Sequence, residues 1–177
     1  MEATKKGRIL ILNGVSSSGK TTLAKVIQDL APIPLYKLDI DDFIFMSPEK
    51  FNDYEHNDFS VQYAFASKFF HVVKLFSDMG FDLVVPNMFF KDTDTLKEFR
   101  VLLIDYPVLV VNIACPAQEL KRREQLRGDR KPGSAQSQLQ LLETQFDHSI
   151  TVNNFEHTNE ECAEMIIKAF LPQNTND

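Results

Sequence analysis

The residues most able to do chemistry lie near the start of the chain. Gly14-Val15-Ser16-Ser17-Ser18-Gly19-Lys20-Thr21 fits the pattern G-x-x-x-x-G-K-[ST], a Walker A phosphate-binding loop. A phosphate chain needs several backbone N–H donors converging on it, so the loop must curl without Cβ clashes, which Gly14 and Gly19 permit. The free N–H groups of a following helix, with the positive end of its dipole, extend the anion site. Lys20 supplies a mobile cation for the β- and γ-phosphates, and the Thr21 hydroxyl suits a magnesium ion. The nucleotide-contact set read from this loop is Gly14, Ser16, Ser17, Ser18, Gly19, Lys20, Thr21 and Thr22, with Thr21 as metal ligand and ATP with Mg²⁺ as the implied cofactors. A merely structural Gly/Ser turn would also match the bare pattern. The flanks argue against it: an apolar β-branched run, Arg8 to Leu12, precedes the loop, and Leu23, Ala24, Val26, Ile27 and Leu30 follow at helical spacing up to Pro32.

Two further clusters carry charge suited to phosphoryl transfer. Leu35 to Ile40 reads as a second strand that ends among Asp39, Asp41 and Asp42, and ligands of open α/β sheets bind beyond the carboxyl ends of strands. At least one of these acids is expected to be a helix N-cap or turn residue. The second cluster is basic: Lys121, Arg122, Arg123, Arg127, Arg130 and Lys131, followed by Pro132 and Gly133. Arginines on a bendable segment suit a lid at about 122–134 that closes over phosphates, because the guanidinium fork binds their oxygens in pairs and closure excludes water. A solvated basic helix end is the plainer alternative.

The elements that must position these groups alternate strand and helix, which predicts a parallel sheet covered on both faces. The expected strands are 8–12, 35–40, 81–85, 107–113 and 149–152. The expected helices follow the loop and span 60–79, 92–103, 117–126, 134–146 and 159–170. In 60–79, Val61, Phe65, Phe69, Val72, Phe76 and Met79 form the predicted core stripe, with Gly80 as C-terminal cap; Leu139, Leu142 and Phe146 are the inward set of 134–146, and Cys162, Met165, Ile166 and Phe170 that of 159–170. The third strand leads into Pro86-Asn87, where an acidic magnesium partner would be usual. The aromatic segment Phe43 to Phe59 either lines a substrate pocket or packs as a flap.

Bulk properties exclude several classes. A net charge of −6 argues against a nucleic-acid surface. No apolar run approaches the roughly 20 residues needed to span a bilayer, and the residues before the first strand carry no signal-peptide core. Cys115 and Cys162 lack metal spacing and read as reduced thiols. A single cytoplasmic domain over 1–177 is expected, acting on a small molecule, with the oligomeric state open.

Taken together, Ile11-Leu12-Asn13-Gly14 leading into the loop, Asp41 after the second strand, and Arg127-Gly128-Asp129-Arg130 resemble the chloramphenicol phosphotransferase-like family. The resemblance implies a three-layer α/β/α P-loop kinase fold with a five-stranded parallel sheet and a basic lid. It implies transfer of the ATP γ-phosphate to a hydroxyl of a small molecule. It makes Asp41 the base for that hydroxyl, gives Arg127 and Arg130 lid roles over the phosphates and keeps Lys20 and Thr21 in theirs; Arg123 joins the nucleotide contacts. Pro86-Asn87 departs from that family's acidic pair. The rival readings are a zeta-toxin-type nucleotide-sugar kinase and a nucleotide-binding module with little catalysis.

Overall fold

The protein is described by a computed structural model covering residues 5–46, 48, 60–127, 133–147 and 149–171, with the side chains of residues 60–64, 67 and 127 outside that description. The sequence alternation resolves into one five-stranded parallel sheet. Its strands are β1 (Ile9–Asn13), β2 (Tyr36–Lys37), β3 (Leu83–Asn87), β4 (Val108–Ala114) and β5 (Ser149–Asn153), in the order β2-β3-β1-β4-β5. β1 sits centrally, with Ile11 opposite Val85 on one side and Val110 on the other. All five β1 residues are buried, which is why the strand reads as an unbroken apolar run rather than an alternating one.

The two faces of β1 feed two cores. Leu10 and Leu12 pack with Leu23, Ala24 and Ile27 of α1 (Lys20–Leu30) and with Cys162, Ala163, Ile166 and Phe170 of α7 (Asn159–Phe170). Ile9 and Ile11 pack with Phe69, Phe70 and Val73 of α3 (Ser60–Asp78) and with Leu96 and Phe99 of α4 (Asp94–Leu102). The expected three-layer α/β/α architecture is therefore present. The remaining helices, α2 (Ile40–Ile44), α5 (Ala117–Arg127) and α6 (Ser134–Leu141), gather at the carboxyl end of the sheet.

Several expected boundaries shift, each for a local reason. β2 is two residues long and lies at the sheet edge with β3 between it and β1. Asp39 stops it by turning its carboxylate onto the Asp41 N–H, capping α2. β3 runs on through Pro86. The Val84 carbonyl accepts the Leu38 N–H, so even-numbered β3 residues face β2, and β2 has ended by Pro86; the missing N–H therefore breaks no ladder bond. Among the described α3 side chains the buried ones are Phe69, Phe70, Val73 and Ser77, while Met79 just beyond is exposed, so there the inward face lies about one position round from the expected stripe. Ser77 is tolerated inside because its hydroxyl donates to the Gly7 carbonyl at 2.6 Å. Gly80 ends the helix at φ 88. Helix α6 stops at Leu141, and 142–146 runs extended instead of helical. Helix α7 matches its expected span and opens on a Thr158/Glu161 capping box, but Met165 points outward. Both cysteines are free thiols.

Asp82 ties the starts of β1 and β3 together. It accepts from the Arg8 backbone N–H at 2.7 Å and pairs with the guanidinium at 2.8 Å. Burial pushes this carboxyl up, but the Arg8 contacts outweigh it and hold it below its ordinary value of 3.8. A depressed folded-state value means the stabilisation is complete above the unfolded value and fades as pH falls through the folded one. Asp82→Asn should therefore lower stability at pH 7 and flatten the fall in stability below about pH 4; urea denaturation across a pH series checks both.

Candidate active site

The turn from β1 into α1 is built for an anion. Ser17 (φ 60) and Gly19 (φ 93) adopt left-handed backbone. That curls the loop so that successive N–H groups converge. Gly19 occupies the N-cap of α1 and has no side chain to cap it; a helix start of this kind offers amide donors and the positive end of the dipole to an anion. Lys20 folds back over the loop, its Nζ donating at 2.8 Å to the carbonyls of both Gly14 and Val15. The hydroxyls of Ser17 and Ser18 are buried without hydrogen-bond partners among the described residues. Orphaned polar atoms inside a cradle of amides fit a bound phosphate better than a structural turn.

Two side-chain networks hold this loop in place. Behind it, Asn154 Nδ2 donates to the Ser18 carbonyl at 2.5 Å. Arg123 donates to the same carbonyl and to Asn154 Oδ1, each at 3.3 Å, and its Nε donates to Glu119. Arg122 and Arg123 together pull the Glu119 carboxyl down to about 2. Arg123 thus braces the loop from outside the cradle. A Cβ on Gly19 would lie 2.6 Å from Asn154 Nδ2, so this brace needs glycine for space as well as for φ.

Beneath the loop sits Asn13, fully buried at the end of β1. Its Nδ2 donates to Asn112 Oδ1 at 2.9 Å and to the Glu143 carbonyl at 2.7 Å. Its Oδ1 accepts the Phe89 N–H at 3.0 Å, and Asn112 donates onward to the Thr144 carbonyl. One carboxamide therefore joins β1, β4, the exit of β3 and the segment after α6. The Phe89 carbonyl accepts the Glu143 N–H, and Lys91 N–H reaches the Leu141 carbonyl, completing a short antiparallel seam.

The loop opens onto a cleft of about 1280 Å³. Ser16, Ser17, Gly19, Lys20, Thr21 and Thr22 line it together with Asp39, Asp41 and Asp42 of the α2 turn. The three acids thus come to the cleft on a helix start rather than a strand end. Asp39 is 8 % exposed and serves as the cap. Lys37 pairs with Asp39 at 3.5 Å and Asp42 at 3.0 Å, and although burial lowers its ammonium, the two carboxylates raise it overall. The floor is apolar: Phe69, Phe70, Met88, Phe89 and Phe90, with Phe45 at the rim. It is backed by Phe70–Phe89 and Phe89–Phe99 contacts at centroid separations of 5.4 and 4.5 Å. Phe43, the first residue of the aromatic segment, stacks on Phe65 at 5.4 Å; most of that segment lies outside the described residues.

At the end of β3, Asn87 lines the cleft with a buried Nδ2 that has no described partner. Being a donor, it suits a ligand oxygen rather than a cation. A carboxylate does reach this side of the cleft, from Asp92, at φ 59. Thr93, not Asp92, caps α4. Arg127 ends α5 with its side chain outside the description, and Arg130 lies outside it altogether. Asn154, Asp92 and the bracing role of Arg123 carried no signal in the sequence; Asn13 and Asn112 did, as amides inside apolar strands.

A family model for chloramphenicol phosphotransferase-like proteins matches residues 7–171. The protein belongs to that family. Its expected five-stranded kinase fold recurs in solved structures. A sugar kinase from Janibacter sp. HTCC2649 is 23 % identical, with 92 % of this chain and 93 % of that chain covered at a TM-score of 0.66. The APS kinase of Mycobacterium tuberculosis, in complex with AMPPNP and APS, is 17 % identical over 93 % and 97 % of the two chains, at 0.69. Shikimate kinase from Acinetobacter baumannii, in complex with shikimate, is 14 % identical over 98 % of each, at 0.67. No curated protein gives a significant match. Family and fold together make this family member a P-loop kinase, a phosphotransferase. No helix among the described residues is long and apolar enough to cross a membrane.

Asn13→Ala would strand the Phe89 N–H, the Glu143 carbonyl and Asn112 Oδ1 in a buried setting. It should cost about 2–4 kcal/mol, and Asn13→Asp, which sets a carboxylate against two acceptors, should cost more. Chemical denaturation of the two variants checks the order.

Proposed function

We propose that this kinase transfers the γ-phosphoryl group of ATP to a hydroxyl of a neutral small molecule with an apolar body. The observation that carries the reading is that one cleft is lined by the anion cradle, by a set of carboxylates and by aromatic side chains. Gly14, Ser16, Ser17, Ser18, Gly19, Thr21 and Thr22 supply the phosphate cradle, with Lys20 as its mobile cation. Moving Lys20 from the loop carbonyls to the phosphates would neutralise charge where it gathers in the transition state. Asp41 accepts the proton of the acceptor hydroxyl, the freed oxygen forms the new bond to the γ-phosphorus, and the bond to the β–γ bridging oxygen breaks to leave ADP. Arg127 and Arg130 are the lid residues that would cover the transferred group.

The Thr21 hydroxyl lines the cleft beside the cradle, a hard oxygen donor that would suit a cation such as Mg²⁺. When bound, that ion would offset charge on the β- and γ-phosphate oxygens.

The lining also favours one acceptor class. Among the described residues of the cleft the cations are Lys20 and Lys37, and Lys37 is paired with Asp39 and Asp42. A nucleotide sugar would bring further phosphates beside these two described lysines, whereas the aromatic floor gains from an apolar acceptor. A binding module would gain nothing from carboxylates facing the phosphate cradle.

Lys20→Ala should abolish acceptor-dependent ADP release. Asp41→Asn should lower it by about 100-fold or more while ATP affinity stays within about threefold. Assays against a panel of hydroxyl-bearing antibiotics, metabolites and nucleotide sugars should show turnover in the first two groups. Turnover restricted to nucleotide sugars, or unchanged in Asp41→Asn, contradicts the reading.

A further inference from the structure

Helix α6 carries a side chain into the phosphate cradle from the far side. Gln138 Oε1 accepts the backbone N–H of Ser16 at 2.8 Å, and Gln138 lines the same cleft as Lys20 and Asp41. Ser16 N–H is the next amide after the Gly14 and Val15 carbonyls on which the Lys20 ammonium rests. It therefore belongs to the end of the loop where the β- and γ-phosphates would meet that ammonium, away from the first turn of α1. With Oε1 committed to Ser16, the two N–H groups of Nε2 have no acceptor among the described residues. A carboxamide held this way presents donors, not a lone pair, to whatever sits beside Ser16.

The helix beneath it is fixed at both ends. Glu124, 3 % exposed, accepts the Ala135 N–H at 2.6 Å and the Gly133 N–H at 3.0 Å. This carboxylate at the start of α6 is favoured by the helix dipole. The far end is pinned by the Phe90–Leu142 bridge. Ala135 is fully buried between. Gln138 is thus placed by a rigid support, as a contact to a reacting group requires.

We propose that Gln138 binds the terminal phosphoryl group of the nucleotide, donating from Nε2 to one of its oxygens. This rests on the kinase reading above. It makes α6 a fourth contributor to the phosphate site, beside the loop, Lys20 and the lid arginines. Because the γ-phosphate is what Gln138 touches, its contribution separates nucleotides that carry this group from those that lack it.

The test is calorimetric titration of the wild type, Gln138→Ala and Gln138→Glu with AMPPNP and with ADP. Gln138→Ala should weaken AMPPNP about tenfold or more, the loss of a hydrogen bond to a charged group, and leave ADP within about twofold. Gln138→Glu keeps an oxygen for the Ser16 N–H but replaces the donors with a negative charge. It should hold ADP affinity and weaken AMPPNP further than the alanine variant does. A role confined to shaping the loop would weaken both ligands alike, and competition between Gln138 and the phosphate would tighten AMPPNP in the alanine variant; either result, or no change in either ligand, overturns the assignment. A wild type that binds neither nucleotide overturns the kinase reading together with it.

Discussion

The buried carboxamide of Asn13 is the constraint on which the site depends. It sits where β1 gives way to the phosphate loop, and three of its hydrogen bonds reach three different parts of the chain. A leucine would fill the space but leave three polar groups unpaired. Because Phe89 is one of those partners and Glu143 another, the loop, the aromatic floor and the exit from α6 share one anchor. The start of the phosphate loop and the aromatic floor are therefore held together at a single interior point, not left to surface contacts.

The rest of the site follows from that anchoring and from sheet topology. With β1 between β3 and β4, the loop emerges at the switch point of the sheet, and the chain leaving β3 must pass alongside it. Charge of both signs is then brought to the cleft. The α1 dipole and Lys20 supply the positive part, while the α2 turn supplies three carboxylates. Arg123 and Asn154 are spent on bracing Ser18, and a loop that does not have to reorganise on binding costs less to charge with ligand.

The parallel sheet, the phosphate loop and the span of helix α7 were legible because each rests on a local rule: alternating apolar runs and helical stretches, a glycine spacing, an apolar period. The length of β2 was not, since Asp39 could end a strand or cap a helix equally well by composition, and the choice was made by the Asp41 N–H. The rotation of α3 was hidden because Ser77 reads as polar until its partner, the Gly7 carbonyl, is known. Helix α6 looked longer because Leu142 and Phe146 fit helical spacing, yet the seam with Phe89 and Lys91 draws that segment out straight. In the site, Lys20, Thr21 and Asp41 declared themselves by motif or resemblance. Asn154 and Gln138 could not, because what makes each of them matter is a neighbour more than a hundred residues away.

The central claim is spatial: a triphosphate lies in the loop with its terminal phosphorus turned toward Asp41. A crystal structure with AMPPNP tests it most directly. The account predicts the β-phosphate against the amides of the loop, Lys20 drawn off the Gly14 and Val15 carbonyls onto the phosphates, and the Asp41 carboxylate facing the γ-phosphorus across room for a hydroxyl. A nucleotide bound away from the loop, or a γ-phosphate pointing away from the α2 turn, would contradict it.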